Sequence, residues 1–583
     1  MRTKRSEITV GNIKYIAASR VRQTVHKKSI EVIGIDTEAY IDGKCFLICT
    51  SLGDAFTPDM FPSCFFTRGY RGAKFICYNL KYEQGALLQH LPIEKLQELQ
   101  KDDETTHNEY TYKVIANKMM SVRHGKNTFH IYDALSFYET SLQNASQSYL
   151  GESKIDIETK HFTPEYVHAN WEKVVEYCIQ DAVLAKRLMD AMILKFEAFG
   201  VYPQKLYSKA YISWQYFKNK CPYIHVKKYW YKIPELIEFA IRSYNGGKFE
   251  VTRKGPGTFY EYDIVSAYPY EISNLMDIRR GQVSRKTKYL DEATYGFLDC
   301  TMQIPYQTYS PIAMKRGQLN YYPVGTFRKI ISKSEYEYLT KTGVNIDIHK
   351  AFWIIVEKEL YPYRTAIHEL MEFKNLYKRT KDKISYELVK KILNSFYGKF
   401  VQLIYKDGKY KAGSSWNPIY GTVITANTRI RVSELQQLYN TIVAVHTDSV
   451  ISTKPLPILT GSELGQWEKS VEGAGIILGS GIYQIGTKSK LRGFDTQIPL
   501  LDIIPLRGKT INISKIRPHT WREISQRAWS PSLINRFEPD EKRLHINFDS
   551  KRIWIDDYND YSEVRKRSVE SMPWDMQLES MLR

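Results

Sequence analysis

Apolar and polar residues alternate at three places along the chain, and each place predicts β-strands that carry an acidic side chain near their ends. The first, Ser29–Gly53, predicts two strands joined by a tight turn at Asp42–Gly43. The second, Phe259–Tyr270, ends its strand at Asp263. The third, Val443–Thr453, places Asp448 in a tight turn between two apolar strands. An acid at a strand end can hold a divalent cation, although a solvated turn residue is the commoner role.

A helical period appears in two further regions. Trp171–Met192 is amphipathic, and Tyr177 and Asp181, four positions apart, share one face. The stretch Lys383–Phe400 has an apolar stripe at Ile384, Leu388, Ile392 and Phe396, and a polar line at Lys390, Asn394 and Tyr397. The helix before it ends in Lys378 and Arg379, and the short connection predicts an antiparallel pair of helices.

Length and charge set the class of protein. With 583 residues and 43% hydrophobic content, the chain is too long for one core and predicts several domains in an α/β multi-domain fold. A net charge of +19 indicates a polyanion, with nucleic acid as the leading partner. We expect no membrane association, because no apolar run approaches the roughly 18 residues that a span requires.

The cysteines and the first residues bear on the compartment. Seven cysteines are scattered without a C-x-x-C pair, so we expect a reduced, intracellular setting without structural zinc. The N-terminal residues are basic but lack an apolar core, and they predict no secretory signal.

The acids of the first region suggest a metal site. Asp36 and Glu38 alternate along one strand and point to the same side, which is costly unless a cation joins them; an exposed strand edge is the alternative. The stretch Ala73–Leu88 predicts a strand and then a helix start that carries Asn79 and Glu83. A phenol one helical turn from a metal-binding acid, as in Tyr177 and Asp181, can orient a water molecule.

The later motifs carry a family resemblance. FYEYDIVSAYPY at Phe259–Tyr270, KKILNSFYGKF at Lys390–Phe400 and HTDS at His446–Ser449 resemble, in this order, motifs A, B and C of family B DNA polymerases. The resemblance implies a right-hand polymerase with palm, fingers and thumb. It also implies nucleotidyl transfer by two Mg²⁺ ions, which Mn²⁺ can replace, held at Asp263, Ile264 and Asp448.

The same resemblance assigns the substrate contacts. Tyr268 would pack against the sugar and select deoxynucleotides. Lys378, Lys390 and Asn394 would bind the nucleotide, and Ser395, Tyr397 and Gly398 would contact DNA. His446 stands where the family has Asp, which predicts a slower or pH-sensitive enzyme.

The first region resembles a DnaQ-like 3′-5′ exonuclease of RNase H-like fold. Asp36, Glu38 and Asp181 match its metal ligands, and Tyr177 its water-orienting residue. Glu83 stands where the family usually has Asp. The resemblance therefore implies exonuclease activity but does not define its rate. Lys154 stands where protein-primed members carry a lysine that assists this site; a lone surface lysine is the alternative. The resemblance also implies that Asn79 contacts DNA. Ala134 stands where the family usually has Ser or Thr.

Two basic or glycine-rich segments complete the DNA contacts. Tyr244, Gly246 and Gly247 resemble the Y-x-G-G segment that grips the primer strand between the two sites; a helix C-cap is the alternative. Lys488, Lys490 and Arg492 form a basic strand or loop that loosely resembles the primer-gripping K-x-Y segment, in which Gly481 replaces the lysine.

The spacing is most similar to the protein-primed branch of phages, linear plasmids and related elements. We expect an N-terminal extension at 1–28, the exonuclease at 29–200, a linker at 201–258, palm and fingers at 259–504 with an insertion at about 271–356, and a thumb at 505–583. The interval from Gly398 to Asp448 is short and holds one hairpin candidate, Tyr405–Lys409, which predicts weaker strand displacement.

The resemblance implies a set of partners. We expect a monomer that binds primer-template DNA, deoxynucleoside triphosphates and a terminal protein in the host cytoplasm or an organelle. An exonuclease with an impaired polymerase half and a non-catalytic nucleic-acid-binding protein remain as alternatives.

Overall fold

The computed structural model describes residues 7–17, 27–222, 224, 226–406, 408–494 and 498–577. Parts of the predicted N-terminal extension, at 1–6 and 18–26, and the predicted hairpin residue Asp407 lie outside these ranges. Among the described residues, the model contains no helix whose length and hydropathy would suit a membrane crossing.

The first part of the chain builds an eight-stranded mixed sheet with helices packed on it. Its order is β5-β4-β3-β6-β10-β9-β8-β7, in which β3, β6 and β10 run parallel. The elements of this part are β1 (Glu7–Val10), β2 (Ile13–Ile16), β3 (Ile33–Ala39), β4 (Cys45–Thr50), β5 (Ala55–Phe56), β6 (Lys74–Cys77), α1 (Leu80–Leu88), α2 (Ile93–Asp102), β7 (Glu104–His107), β8 (Tyr110–Ile115), β9 (Met119–His124), β10 (Asn127–Asp133), α3 (Leu135–Tyr138), α4 (Leu142–Leu150), α5 (Pro164–Ala169) and α6 (Trp171–Ala198).

The long helix α6 crosses the middle of this sheet. A Cβ atom at Gly34 of β3 would lie 1.8 Å from the carbonyl oxygen of Ala182 on α6. Only glycine therefore permits this approach. It brings the acids of β3 next to the acid of α6.

The middle of the chain contains a second sheet, an inserted sheet and a pair of helices. Its elements are α7 (Lys209–Lys220), α8 (Lys227–Lys232), α9 (Pro234–Ser243), β11 (Lys248–Val251), β12 (Arg253–Ile264), α10 (Ala267–Ser273), β13 (Gln282–Ser284), β14 (Tyr295–Ile304), β15 (Met314–Arg316), β16 (Leu319–Tyr321), β17 (Gly325–Ser332), α11 (Lys333–Lys341), β18 (Asn345–Ile355), α12 (Arg364–Arg379), α13 (Lys383–Ser395), α14 (Tyr397–Phe400), β19 (Leu403–Lys406) and β20 (Lys409–Ala412). The inserted sheet has the order β13-β18-β14-β17 and lies within the interval predicted for an insertion.

The last part of the chain completes the second sheet. Its elements are α15 (Pro418–Leu438), β21 (Ile442–Thr447), β22 (Ser449–Ser452), β23 (Trp467–Gly479), β24 (Ile482–Ile485), β25 (Lys488–Leu491), α16 (Leu500–Ile503), β26 (Thr510–Pro518), α17 (Trp521–Arg527), β27 (Phe537–His545), β28 (Ile553–Trp554), α18 (Tyr561–Val564) and β29 (Val569–Met572). The sheet order is β11-β21-β22-β12-β23-β24-β25, and β29 pairs with the start of β12.

The regions are packed against one another. One apolar core joins Phe196 of α6 to Leu388 and Ile392 of α13 and continues into the inserted sheet at Phe297 and Phe352. The segment between β26 and β27 returns to the first region, where the Asn535 amide donates to the Tyr82 carbonyl at 2.9 Å. The region predicted as thumb is therefore joined to the first domain at 519–536 and to the second sheet at β29.

Two candidate active sites

The first candidate site is a cluster of buried acids. Asp36 and Glu38 lie on β3, Glu83 on α1 and Asp181 on α6. Their exposed fractions are only 8, 7, 4 and 5%. Buried carboxylates of this number cannot all be ionised unless cations compensate them.

The local folding of this site depends on Asp133 at the end of β10. Its carboxylate accepts the backbone N–H groups of Asn79 and Leu80, each at 3.1 Å, and of Leu135 and Ser136 at 3.1 and 3.2 Å. These four hydrogen bonds fix the start of α1. Glu83 lies one helical turn later and accepts a hydrogen bond from the Thr37 hydroxyl.

The electrostatics follow from burial. Desolvation, reinforced by the neighbouring acids, raises the pKa values of Asp36, Glu38 and Glu83 well above their usual range. Desolvation also raises the pKa of Asp181, but Lys154 opposes the rise.

The donor set suits a hard divalent cation. Ligand atoms of Asp36, Glu38 and Cys178 lie within 4.8 Å of one another, and Oδ1 of Asp181 is buried without a hydrogen-bond partner in the described chain. Burial raises the pKa of the Cys178 thiol well above its usual range, so this thiol stays protonated. The carboxylates are therefore the groups that would hold a hard divalent cation.

Lys154 and Tyr177 complete this site. The Lys154 ammonium forms an ion pair with Asp181 and donates to the Tyr177 hydroxyl at 2.9 Å. It also lies 4.7 Å from the centre of the Tyr177 ring. Lys154 is thus part of the acid cluster, and the reading of it as a lone surface lysine does not fit this geometry.

The second candidate site contains Asp263 on β12 and Asp448 in the turn between β21 and β22. Asp263 pairs in register with Ser449, and the Ile264 N–H donates to the Asp448 carbonyl at 3.0 Å. Burial, and next the charge of Asp263, raise the pKa of Asp448 to about 6. The structure therefore brings together the two acids that the sequence placed 185 positions apart (448 − 263).

Left-handed backbone marks both sites. Asn79 (φ 82°) precedes the helix of Glu83, Ser266 (φ 50°) follows Asp263, and Thr447 (φ 67°) precedes Asp448. Non-glycine residues rarely adopt this conformation, and where they do it is often at functional sites.

A basic cavity of about 450 Å³ lies beside the second acid pair. Its lining includes Lys374, Lys378 and Arg379 of α12, the acids Glu372 and Glu468, and Val265. The Lys374 ammonium donates to the Ser266 hydroxyl at 3.1 Å. Desolvation lowers the pKa of Lys374, Glu468 opposes this, and the charges of Lys390 and Lys378 lower it further. The cavity therefore joins motif A to the cations of the helical pair.

Three tyrosines line up between the segments resembling Y-x-G-G, motif A and motif B. The hydroxyl groups of Tyr244 and Tyr397 are 2.6 Å apart, and the rings of Tyr268 and Tyr397 are 4.5 Å apart. Asn394 and Gly398 are exposed nearby in sequence, and Ser395 is half-buried.

A buried arginine forms hydrogen bonds with the backbone at the glycine pair. Arg429 of α15 donates to the carbonyls of Asn245 and Gly246 at 2.6 and 2.7 Å. A Cβ atom at Gly247 would lie 2.5 Å from the Thr447 methyl group, so glycine is required by the contact with the Asp448 turn. Gly246 has open space around its Cα.

The basic strand β25 is only partly directed to solvent. Lys488 donates to Glu261 at 2.6 Å, and Glu261 also accepts from Tyr483 at 2.9 Å. Lys490 is exposed, and the Arg492 guanidinium lies 4.5 Å from the Phe249 ring.

His446 does not behave as a pH-sensitive group, which corrects that part of the prediction. Its ring stacks on Tyr483 with centroids 4.8 Å apart, and Nε2 accepts from the Gly481 N–H at 3.4 Å. Burial, with Lys551 as the next cause, lowers its pKa to about 3. The imidazole is neutral throughout the physiological range.

The sequence reasoning missed Asp133, Lys374 and Arg429. Asp133 follows the stretch FHIY at 129–132, much as Asp263 follows FYEY at 259–262, and that signal could have found it. Lys374 stands one helical turn before Lys378, but Arg429 lies on a helix without any neighbouring motif.

Comparisons with known proteins agree with this geometry. Residues 153–417 match the profile of the family described as DNA polymerase type B, organellar and viral. No curated protein matches the chain. The solved structure of Phi29 DNA polymerase complexed with primer-template DNA and incoming nucleotide substrates is similar, with a TM-score of 0.62 and 16% identity over 89% of this chain and 100% of that chain.

A second structure has the same fold. Phi29 DNA polymerase complexed with single-stranded DNA gives a TM-score of 0.59 and 15% identity over 88% of this chain and 100% of that chain. At such identities the likeness concerns the fold. The predicted fold class, an RNase H-like exonuclease domain followed by a right-hand polymerase, is thereby confirmed.

Proposed function

We propose that this chain is a type B DNA polymerase of the organellar and viral group, whose profile matches residues 153–417, and that it replicates a genome from a protein primer and proofreads its product. Template-directed DNA synthesis is the activity of the family. Protein priming and proofreading are the additional steps of this proposal.

The observation that carries the proposal is the acid pair Asp263 and Asp448 beside a basic cavity. Asp263 lies on β12, and Asp448 lies in the turn that precedes the neighbouring strand β22. The cavity is lined by Lys374, Lys378 and Arg379 together with Glu372 and Glu468. A carboxylate pair next to clustered ammonium groups matches the charge pattern of a nucleoside triphosphate with its metal ions.

The substrates follow from the same arrangement. Phi29 DNA polymerase is described in complex with primer-template DNA and incoming nucleotides. We propose the same substrates here, with the triphosphate at Lys374, Lys378 and Lys390 and the sugar against Tyr268. A 2′-hydroxyl would collide with that ring, which would select deoxynucleotides.

Polymerases of this family depend on divalent metal ions, and we propose Mg²⁺, with Mn²⁺ as a substitute. Such ions, when bound, acidify the primer 3′-hydroxyl and neutralise the charge on the leaving pyrophosphate. The task of Asp263 and Asp448 is to hold them, while the lysines of α12 and α13 orient the phosphates.

Proofreading is supported by the acid cluster at Asp36, Glu38, Glu83 and Asp181. Tyr177 is suited to hold the attacking water, because Lys154 fixes its hydroxyl at 2.9 Å. Lys154 also compensates one of the buried carboxylates before any metal ion binds.

The remaining proposals concern the setting. The inserted sheet β13-β18-β14-β17 is large enough to bind a terminal protein, and its position between motif A and the helical pair supports that role. We propose a monomeric enzyme in the host cytoplasm or in an organelle that carries the element.

Primer extension on a primed template with Mg²⁺ tests the proposal. Asp263→Ala should abolish extension and leave degradation of single strands intact, whereas Asp36→Ala should do the reverse. Degradation without extension by the unmodified protein would favour the alternative of an exonuclease with an impaired polymerase half. Salt-sensitive binding with neither activity would favour a non-catalytic binding protein.

A further inference from the structure

A second cavity, of about 380 Å³, takes no part in the two acidic sites. It is lined by residues 306–310 after β14, by residues at the end of α15 and around β28 and β29, and by Glu250 and Tyr322. None of its lining residues belongs to the acid cluster, to the acid pair or to the basic cavity beside that pair. The Gln436 cavity, as we name it, is therefore separate from the sites described so far.

The Gln436 amide, near the end of α15, is the group in this lining that lacks partners. Gln436 is 1% exposed, and neither its amide nitrogen nor its amide oxygen has a hydrogen-bond partner in the described chain. The next side chain differs, since the amide oxygen of Gln437 accepts the Tyr309 N–H at 2.9 Å. A buried polar group without partners is costly unless a ligand supplies them. An amide offers a donor and an acceptor side by side, so the complementary ligand has an acceptor and a donor on one edge.

The charged groups at this cavity leave a positive excess. Glu250 accepts from Arg552 at 2.8 Å and lies 3.6 Å from the Lys248 ammonium, and all three side chains are buried. Burial opposes ionisation of Glu250, yet the charges of Arg552 and Lys248 lower its pKa. Burial lowers the pKa of Lys248 to about 8, against the charge of Glu250, so this amine is mainly protonated at pH 7. Glu570, the other acid whose charge reaches Tyr309, is paired with Arg253 at 3.5 Å. Two cations beside one acid favour an anionic ligand.

Three tyrosine rings line the same cavity. The Lys248 ammonium lies 5.1 Å from the centre of the Tyr322 ring and 5.9 Å from that of Tyr309. Tyr322 is buried, whereas Tyr306 is 53% exposed. The inner rings thus contact the buried cation, and the Tyr306 ring is open to solvent. An open ring near an unpartnered amide offers a flat ligand a face on which to stack.

We propose that the Gln436 cavity binds an adenine nucleotide. The Gln436 amide would pair with N6 and N7 of adenine, as glutamine does when it recognises this base in nucleic acids. The Tyr306 ring would stack on the base, and the phosphate would lie toward the positive excess at Arg552. The volume of the cavity lies within the range of small-ligand sites, roughly 300–1,000 Å³. The proposal does not depend on DNA synthesis, because the cavity shares no lining residue with the acidic sites.

Calorimetric titration of the full chain with AMP in the presence of chelator tests the proposal. Gln436→Leu should weaken AMP binding about tenfold, because two hydrogen bonds to the base are lost. It should not lower the midpoint of thermal unfolding, because the amide it removes has no partner in the described chain. Tyr306→Ala should weaken binding about fivefold or more. Ribose 5-phosphate, which lacks the base, should bind at least about tenfold more weakly than AMP.

Two pairs of control variants accompany these measurements. Gln282→Leu, at an exposed glutamine of the inserted sheet, and Tyr405→Ala, at an exposed ring of β19, should bind AMP normally. Asp36→Ala and Asp263→Ala should also bind it normally, because the nucleotide does not occupy either acidic site. A loss of AMP binding in either aspartate variant would place the nucleotide in that site and overturn the inference.

Three further results would overturn it: no binding of AMP at millimolar concentrations, an unchanged affinity in both Gln436→Leu and Tyr306→Ala, or equal binding of ribose 5-phosphate. A free nucleotide and an unpaired adenine of a strand offer the same chemistry, and competition with oligo(dA) separates these sources. Displacement of AMP by oligo(dA) that Gln436→Leu weakens would support the cavity and assign it to a strand. AMP binding that oligo(dA) does not displace would support the cavity and assign it to a free nucleotide.

Discussion

The two acidic sites differ in how their charge is compensated. In the first domain, Asp36, Glu38, Glu83 and Asp181 are almost fully buried, and Lys154 already forms an ion pair within the cluster. In the second sheet, Asp263 and Asp448 are half-buried, and their cations stand across a cavity on α12 and α13.

The two sites therefore differ in what must bind before their negative charge is balanced. The proposed exonuclease site contains the Lys154 ammonium, so its geometry is partly set before any ligand binds. Within the described residues, no lysine forms a hydrogen bond or ion pair with Asp263 or Asp448 of the proposed polymerase site, and the carboxyl of Asp448 is protonated below a pKa of about 6. Its charge is therefore completed by metal ions and by the substrate that brings them.

The largest expected effect concerns stability without metal. The pKa of Asp448 is raised from 3.8 in the unfolded chain to about 6 in the folded protein. The protonated carboxyl therefore favours the folded state fully below pH 4, and this contribution to the free energy of unfolding is lost as pH rises through 6. Asp448→Asn removes this loss and should stabilise the metal-free protein at pH 7.5 by at most about 3 kcal/mol. Thermal unfolding in chelator at pH 7.5 and pH 4 measures the difference, which should vanish at pH 4.

The corresponding change in the other site sharpens the comparison. Asp181→Asn should raise the free energy of unfolding at pH 7.5 by less than Asp448→Asn does, because it leaves the Lys154 ammonium without its ion-pair partner. An equal gain in both variants would show that the internal lysine does not distinguish the two sites.

The second effect concerns Lys154 itself. Lys154→Met should slow degradation of single-stranded DNA about 30-fold, or about 2 kcal/mol, with primer extension unchanged. Because Lys154 opposes the raised pKa of Asp181, its loss should move the acidic limb of the exonuclease pH profile to higher pH. A fall in rate with no movement of that limb would contradict this role.

The third effect tests the cations across the cavity. Lys374→Met should raise the KM for deoxynucleotides about tenfold, because one ammonium group that reaches the motif A turn is lost. Steady-state extension measures it, with exposed Lys358→Met as the control. An equal KM in the two variants would remove Lys374 from the nucleotide site.

The smallest effect is expected at His446. His446→Asn should change the rate of extension less than about twofold, and the pH profile between 5.5 and 8.5 should not move, because the imidazole is neutral there. A profile that loses a limb near pH 6.5 in this variant would show that His446 titrates in the working enzyme.

The strand-end acids and the two faces of α13 could be predicted from the sequence because both depend on local periods. Asp36 follows the apolar first residues of β3, Asp263 lies near the end of β12, Asp448 directly follows β21, and Lys390 and Asn394 recur at helical spacing. Distant contacts leave no such period. Arg429 reaches Asn245 across 184 positions, and the strand β1 is completed by residues near 409.

The backbone conformation at the second site could not be predicted from the sequence either. Ser266 and Thr447 are left-handed although neither residue type favours that region, so only the surrounding structure imposes it. The pairing of β29 with β12 has the same character, since nothing in VESM at 569–572 indicates its partner.

That last pairing bears on the order in which the protein is made. β12, the strand that presents Asp263, is hydrogen-bonded near its start to Ser568, 315 positions later. A ribosome must therefore deliver most of the polypeptide before this strand has all its neighbours. The strands of the first sheet, β3 to β10, all lie within residues 33–133, so that sheet can gain its strand partners far earlier in synthesis than β12 does.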